Sequence, residues 1–195
     1  MTTRFEHPYV MSVMSDDHPG IVAAVGNAVS ALGGNIDACS QTVLSGYFTL
    51  IMIVSFPEQV APEALAEDVR RADAASECQV LARPYQPHET GGERQAEQFV
   101  ITAFGPDKPG VLLRFSQYLA GKDINIIDLY GDRKAPRDPG RGEDFVLISQ
   151  VQIPPHWDIA MLQADLEHIG QEEGFTVRLQ HENVFVATNQ LRLTR

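Results

Sequence analysis

Residues 15–22 read SDDHPGIV, and residues 105–112 read GPDKPGVL. Each stretch follows a short β-rich run, VMSVM or FVITAF, and each leads into apolar residues at helical spacing. Asp17, His18, Pro19, Gly20 and Ile21 recur ninety positions on as Asp107, Lys108, Pro109, Gly110 and Val111, and Asn35-Ile36 recur at the same distance as Asn125-Ile126. Phe48, Leu50 and Pro57 return ninety-seven positions on as Phe145, Leu147 and Pro154. The second copy therefore holds about seven extra residues, most simply within DRKAPRDPGRG (132–142), whose Pro and Gly mark a loop. An internal duplication accounts for the whole pattern.

Each copy carries the same order of elements. After the corner, IVAAVGNAVSAL and VLLRFSQYLA predict helices, with Ile21, Val22, Val25, Val29 and Leu32 on one face of the first. NIDACSQTVL and NIIDLY, then FTLIMIVSF and FVLISQVQI, are strand-like in their β-branched and aromatic content. A second helix rests on Leu65, Val69 and Ala72 in one copy and on Ile159, Leu162, Leu166 and Ile169 in the other. CQVLAR and FTVRLQ close the copies as strands. The order β, α, β, β, α, β, given twice, predicts an α+β protein of two ferredoxin-like domains, helices on one face of an antiparallel sheet. The polar, Pro- and Gly-bearing stretch between them reads as a linker, giving domains at 1–86 and 97–195 with a linker at 87–96.

In FTLIMIVSF, Phe48, Leu50, Met52 and Val54 form one strand face, but Ile51 and Ile53 make the other apolar as well, and Val146 and Ile148 repeat this. A solvated face is polar, so these strands are expected to meet another sheet or another chain. Domain pairing or a homodimer follows.

A net charge of -11 over 195 residues argues against direct binding of a phosphate backbone. The N-terminus lacks a basic region followed by a long apolar one, and no apolar run reaches membrane-spanning length, so a cytoplasmic protein with no membrane partner is expected. Cys39 and Cys78, the only cysteines, are expected to be reduced and packed. His7, His18, His88, His156, His168 and His181 are scattered without ligand spacing, so no metal or other cofactor is expected. No phosphate loop, dinucleotide fingerprint or nucleophile-base pair emerges, and an enzyme is not expected. Arg133, Lys134, Arg137 and Arg141 make the inserted loop basic, which reads either as a solvated loop or as a contact for an acidic partner.

Proline is favoured at the first position of a helix, and an acid just before it complements the helix dipole. A glycine next to it leaves first-turn amides uncovered, able to receive a carboxylate. Asp17 or Asp107 could accept from an ammonium, Lys108 could neutralise a carboxylate, and the amides of Asn35 and Asn125 could serve either group. The same four residues also suit a plain turn into a helix.

Paired D-x-P-G-[IV]-[VL] corners, each followed after one helix by N-I, resemble ACT domains, the small regulatory modules of amino-acid metabolism. The resemblance covers both halves, and the two-domain layout is similar to the glycine cleavage system transcriptional repressor family. It implies a non-catalytic regulator that binds a small amino-acid ligand, glycine or serine among the first to consider, at interfaces between ACT domains, and signals to a protein partner. Carried onto this chain, the implied ligand-binding residues are Asp17, His18, Pro19, Gly20, Ile21, Asn35 and Ile36, then Asp107, Lys108, Pro109, Gly110, Val111, Asn125 and Ile126. Ser15 and His18 depart from the family pattern, which favours the second corner. The alternative is an interaction module of the repressor type with no small-molecule ligand. A formyltetrahydrofolate deformylase also carries such a corner, but its catalytic domain has no room here.

Overall fold

The computed structural model describes residues 2–72, 75, 77–87, 96–135 and 142–184. The chain divides into two compact units, 1–89 and 90–195. Residues 88–95 of the expected linker, and Arg137 and Arg141 of the basic loop, lie outside the described residues.

The first unit runs β1 (His7–Asp16), α1 (Ile21–Ala31), β2 (Asn35–Leu44), β3 (Tyr47–Phe56), α2 (Pro62–Arg70) and β4 (Gln79–Pro84). The second runs β5 (Glu97–Pro106), α3 (Val111–Gly121), β6 (Asn125–Lys134), β7 (Asp144–Ile153), α4 (Ile159–Glu173) and β8 (Thr176–His181). Their sheets have the orders β2-β3-β1-β4 and β6-β7-β5-β8, antiparallel at every pairing. These are two ferredoxin-like α+β folds, as the repeated order of elements predicts.

The duplication extends to irregularities. β2 shifts register between Ile36 and Ala38, and β6 does so between Ile126 and Asp128, so both copies carry a bulge at the same place. Ser45-Gly46 closes the β2–β3 hairpin, whereas β6 and β7 are joined through residues 135–143. The second connection is thus seven residues longer than the first, as the two offsets predict, but it begins later than Pro and Gly suggest: Asp132, Arg133 and Lys134 belong to β6, because the ladder with β7 continues to the Lys134↔Asp144 pair.

Strand alternation places Tyr9, Met11, Val13, Phe48, Leu50, Met52 and Val54 beneath the helices of the first unit. On α1 the buried stripe is Ile21, Ala24, Val25 and Val29, while Val22 is 52% exposed. Val22 sits a hundred degrees round from Ile21, off the stripe set by residues four apart. Cys78 is buried in this core, but Cys39 is exposed, since it lies on the edge strand β2. In the second unit α3 and α4 are tied by the Tyr118 hydroxyl, which donates to Asp165 at 2.9 Å, and by Trp157, whose indole N–H donates to the Lys122 carbonyl at 2.9 Å.

Candidate functional site

Both corners are glycine turns rather than helix starts. Gly20 (φ 102°, ψ -14°) and Gly110 (φ 88°, ψ -5°) are the N-cap residues of α1 and α3, so Pro19 and Pro109 precede the helices instead of opening them. Proline followed by a glycine at positive φ and ψ near zero is the pattern of a type II turn, and no L side chain is comfortable in that glycine's place. The helices begin with Ile21 and Val111, both buried in the cores. Neither helix has a side-chain cap or an acid in its first turn. Their leading N–H groups project from the helix ends beside the turns.

The turns are held by the hairpins opposite them. The Asp17 amide donates to the Gly46 carbonyl at 2.8 Å, and the Asp107 amide donates to the Glu143 carbonyl at 2.9 Å. Side chains then differ between the copies. Asp107 forms an ion pair with Arg133, Oδ2 to Nε at 2.8 Å, with Glu143 4.0 Å from the same guanidinium. Lys108 donates to the Glu173 carbonyl at 2.9 Å, at the C-terminal end of α4, where Arg114 also pairs with Glu172 and Glu173. In the first copy Asp17, His18, Pro19 and Gly20 are all exposed. His18 Nδ1 lies 3.2 Å from its neighbour's carbonyl, and among the described residues no cation pairs with the Asp17 carboxylate. The second corner is satisfied by its own chain, and the first stands open.

Asn35 and Asn125 are not beside the corners of their own units. β2 begins opposite Ser55 at the far end of β3, whereas the corner packs against the hairpin tip at Gly46. The eleven-residue α1 lies between, a span of about 16 Å. The Asn35 amide donates to Asp37 at 2.8 Å, and the Asn125 amide reaches Gln152 at 3.4 Å. Ile36 is 37% exposed and Ile126 half-buried.

Asp37, on the bulge, was not singled out by sequence. Burial raises its pKa, but bonds from the Ser55 hydroxyl, the Arg4 amide and Asn35 outweigh this and hold the carboxyl below its usual range. A carboxyl held low takes up its proton later than in the unfolded chain. Asp37 thus contributes stability at neutral pH that fades as acidification passes about pH 4 and is gone below its native pKa. Asp37→Asn is expected to flatten the acid limb of the stability curve between about pH 5 and 3; urea midpoints measured across that range that fall as steeply as in the parent would contradict it.

No helix of the described residues is long and apolar enough to cross a membrane, and no cluster of three metal-ligating side chains occurs among them.

The ACT domain family pattern matches residues 7–81. A UPF0237 protein of Methanococcus maripaludis is 34% identical over 90 residues, which are 46% of this chain and 92% of that protein. A UPF0237 protein of Corynebacterium diphtheriae is 42% identical over 59 residues, 30% of this chain and 66% of its own. Two crystal structures share the fold across both units, each covering 90% of this chain and 98% of theirs. One is an unknown protein from Galdieria sulphuraria (21% identity, TM-score 0.74), the other a candidate glycine cleavage system transcriptional repressor (17% identity, TM-score 0.60). The chain belongs to the ACT domain family, with the fold of the first unit repeated in the second.

Proposed function

We propose that the chain is a non-catalytic regulator that binds a small amino acid at its first corner and signals to a protein partner through changed pairing of its ACT units. The observation that carries this reading is the open first corner: an Asp17 carboxylate with no cationic partner among the described residues, beside a left-handed Gly20 and the uncapped end of α1. A free amino acid offers a carboxylate for the helix amides and an ammonium for Asp17. Because α1 separates Gly20 from Asn35, one ligand can meet both residue types only if a second ACT unit lays the start of its own β2-type strand across the corner. The exposed edge strand β2, with Val43 and Leu44 at the surface and Val22 on the adjoining helix, favours a homodimer as the source of that unit.

Thermal unfolding against the free amino acids, glycine and serine first, tests the reading. A ligand selective for the native state raises the melting temperature saturably with concentration. One amino acid that does so, with the shift lost in Gly20→Val, is the expected result. No shift from any of them, with calorimetry equally silent, would leave the corners as structural turns and return the protein to the interaction-module reading.

A further inference from the structure

The outer face of the first sheet, remote from α1 and α2, carries an open cavity of about 670 Å³. Its walls follow from strand register. Arg83, Val10, Ile53 and Ala38 form one row across all four strands, and Leu81, Ser12, Ile51 and Ser40 form the next. Tyr85, whose amide donates to the Pro8 carbonyl at 2.9 Å, closes the end beside Arg83. Among the described residues Arg83 is the only cationic side chain lining the cavity, and its guanidinium pairs with no carboxylate there. Such a guanidinium can offer charge-assisted hydrogen bonds to an anion.

The fold does not require this arrangement. In the second unit the row equivalent to Arg83, Val10, Ile53 and Ala38 is Gln180, Val100, Gln150 and Asp128. There Gln150 donates to Gln98 at 3.1 Å and to Glu182 at 2.9 Å, a polar network where the first unit has bare aliphatic side chains. The same topology folds with a polar row at this level of the sheet, so the apolar row through Val10 and Ile53 is particular to the first copy, even though Val146 and Ile148 keep apolar residues elsewhere on the second sheet's outer face.

We propose that this cavity binds an aliphatic monocarboxylate, its carboxylate held by Arg83 and its chain lying across Val10, Ile53 and Ile51. Guanidinium and carboxylate form paired charge-assisted hydrogen bonds, and a cavity of this size with apolar walls and one charged group is typical of a small-molecule site. The site is separate from the corner at Asp17, and neither depends on the other.

The test uses the full chain, with anilinonaphthalene sulfonate as fluorescent reporter and butanoate, hexanoate, octanoate and octanol as competitors. Displacement at one site per chain is expected, with carboxylate affinity rising about two- to fourfold per methylene. Arg83→Gln should weaken octanoate about tenfold and leave octanol unchanged. Ile53→Glu, which keeps Arg83, should abolish both. Failure of octanoate to displace the reporter, equal losses for octanoate and octanol in Arg83→Gln, or octanoate binding retained in Ile53→Glu would each overturn the proposal. So would a change of oligomeric state in Ile53→Glu by sedimentation velocity, which would assign the face to a second copy of the chain.

Discussion

Phe56→Ala is expected to destabilise the first unit by about 3–5 kcal/mol, the range for deleting a fully buried aromatic ring. Phe56 is 0% exposed at the end of β3, and Tyr9 meets it edge-on with ring centroids 5.8 Å apart. The ring also explains a glycine. A Cβ placed on Gly34 would lie 2.3 Å from Phe56 Cε1 and 2.7 Å from Cδ1, closer than any real contact, and a ring with no exposed edge has no room to retreat. Gly34→Ala alone should therefore cost about 1–3 kcal/mol by overpacking. In the double variant Gly34→Ala, Phe56→Ala the new methyl enters space the ring has left, so the combined loss should fall short of the sum. Hydrogen exchange of the β1 and β3 amides reads this unit directly, since the only tryptophan, Trp157, reports on the other. A loss below about 1 kcal/mol for Phe56→Ala, or full additivity in the double variant, would contradict the packing described.

What sequence disclosed and what it hid divide along physical lines. The repeated element order was legible because apolar periodicity is a local property, and a second copy at a fixed offset corroborates it. Even the hairpin contact behind each corner obeys the later offset, Gly46 opposite Asp17 and Glu143 opposite Asp107. The partner of Asp107 was not legible. Arg133 reaches it only because β6 continues through a stretch that Pro and Gly mark as loop, and strand length there is set by pairing with β7 rather than by propensity. Pro19 misleads in a related way: proline suits both the first position of a helix and the second of a turn, and the conformation of Gly20 decides between them. Asn35 stands at a constant distance from the corner along the chain, but the intervening residues are a helix, so constant spacing here means constant separation.

Those same differences between copies predict an asymmetric response to ligand. Asp17→Ala is expected to abolish the rise in melting temperature produced by the amino-acid ligand, whereas Asp107→Ala should leave most of it intact. At a hundredfold excess over Kd a single native-state site contributes about 2.7 kcal/mol, so the two outcomes are well separated. The reason is competition for the carboxylate. At the second corner an incoming ammonium must displace Arg133, which sits 2.8 Å from Asp107 and is held on β6 of the same sheet, so the guanidinium is present at high effective concentration. At the first corner the residue ninety positions before Arg133 is Val43, which is exposed and offers no charge to be displaced. Arg133→Ala supplies the converse. Freed of its internal cation, Asp107 should acquire a second, weaker binding phase, seen as a rise in calorimetric stoichiometry from one ligand per chain towards two. Loss of the response in Asp107→Ala with retention in Asp17→Ala would reverse the assignment and show that the arginine orders the second corner for ligand instead of occupying it.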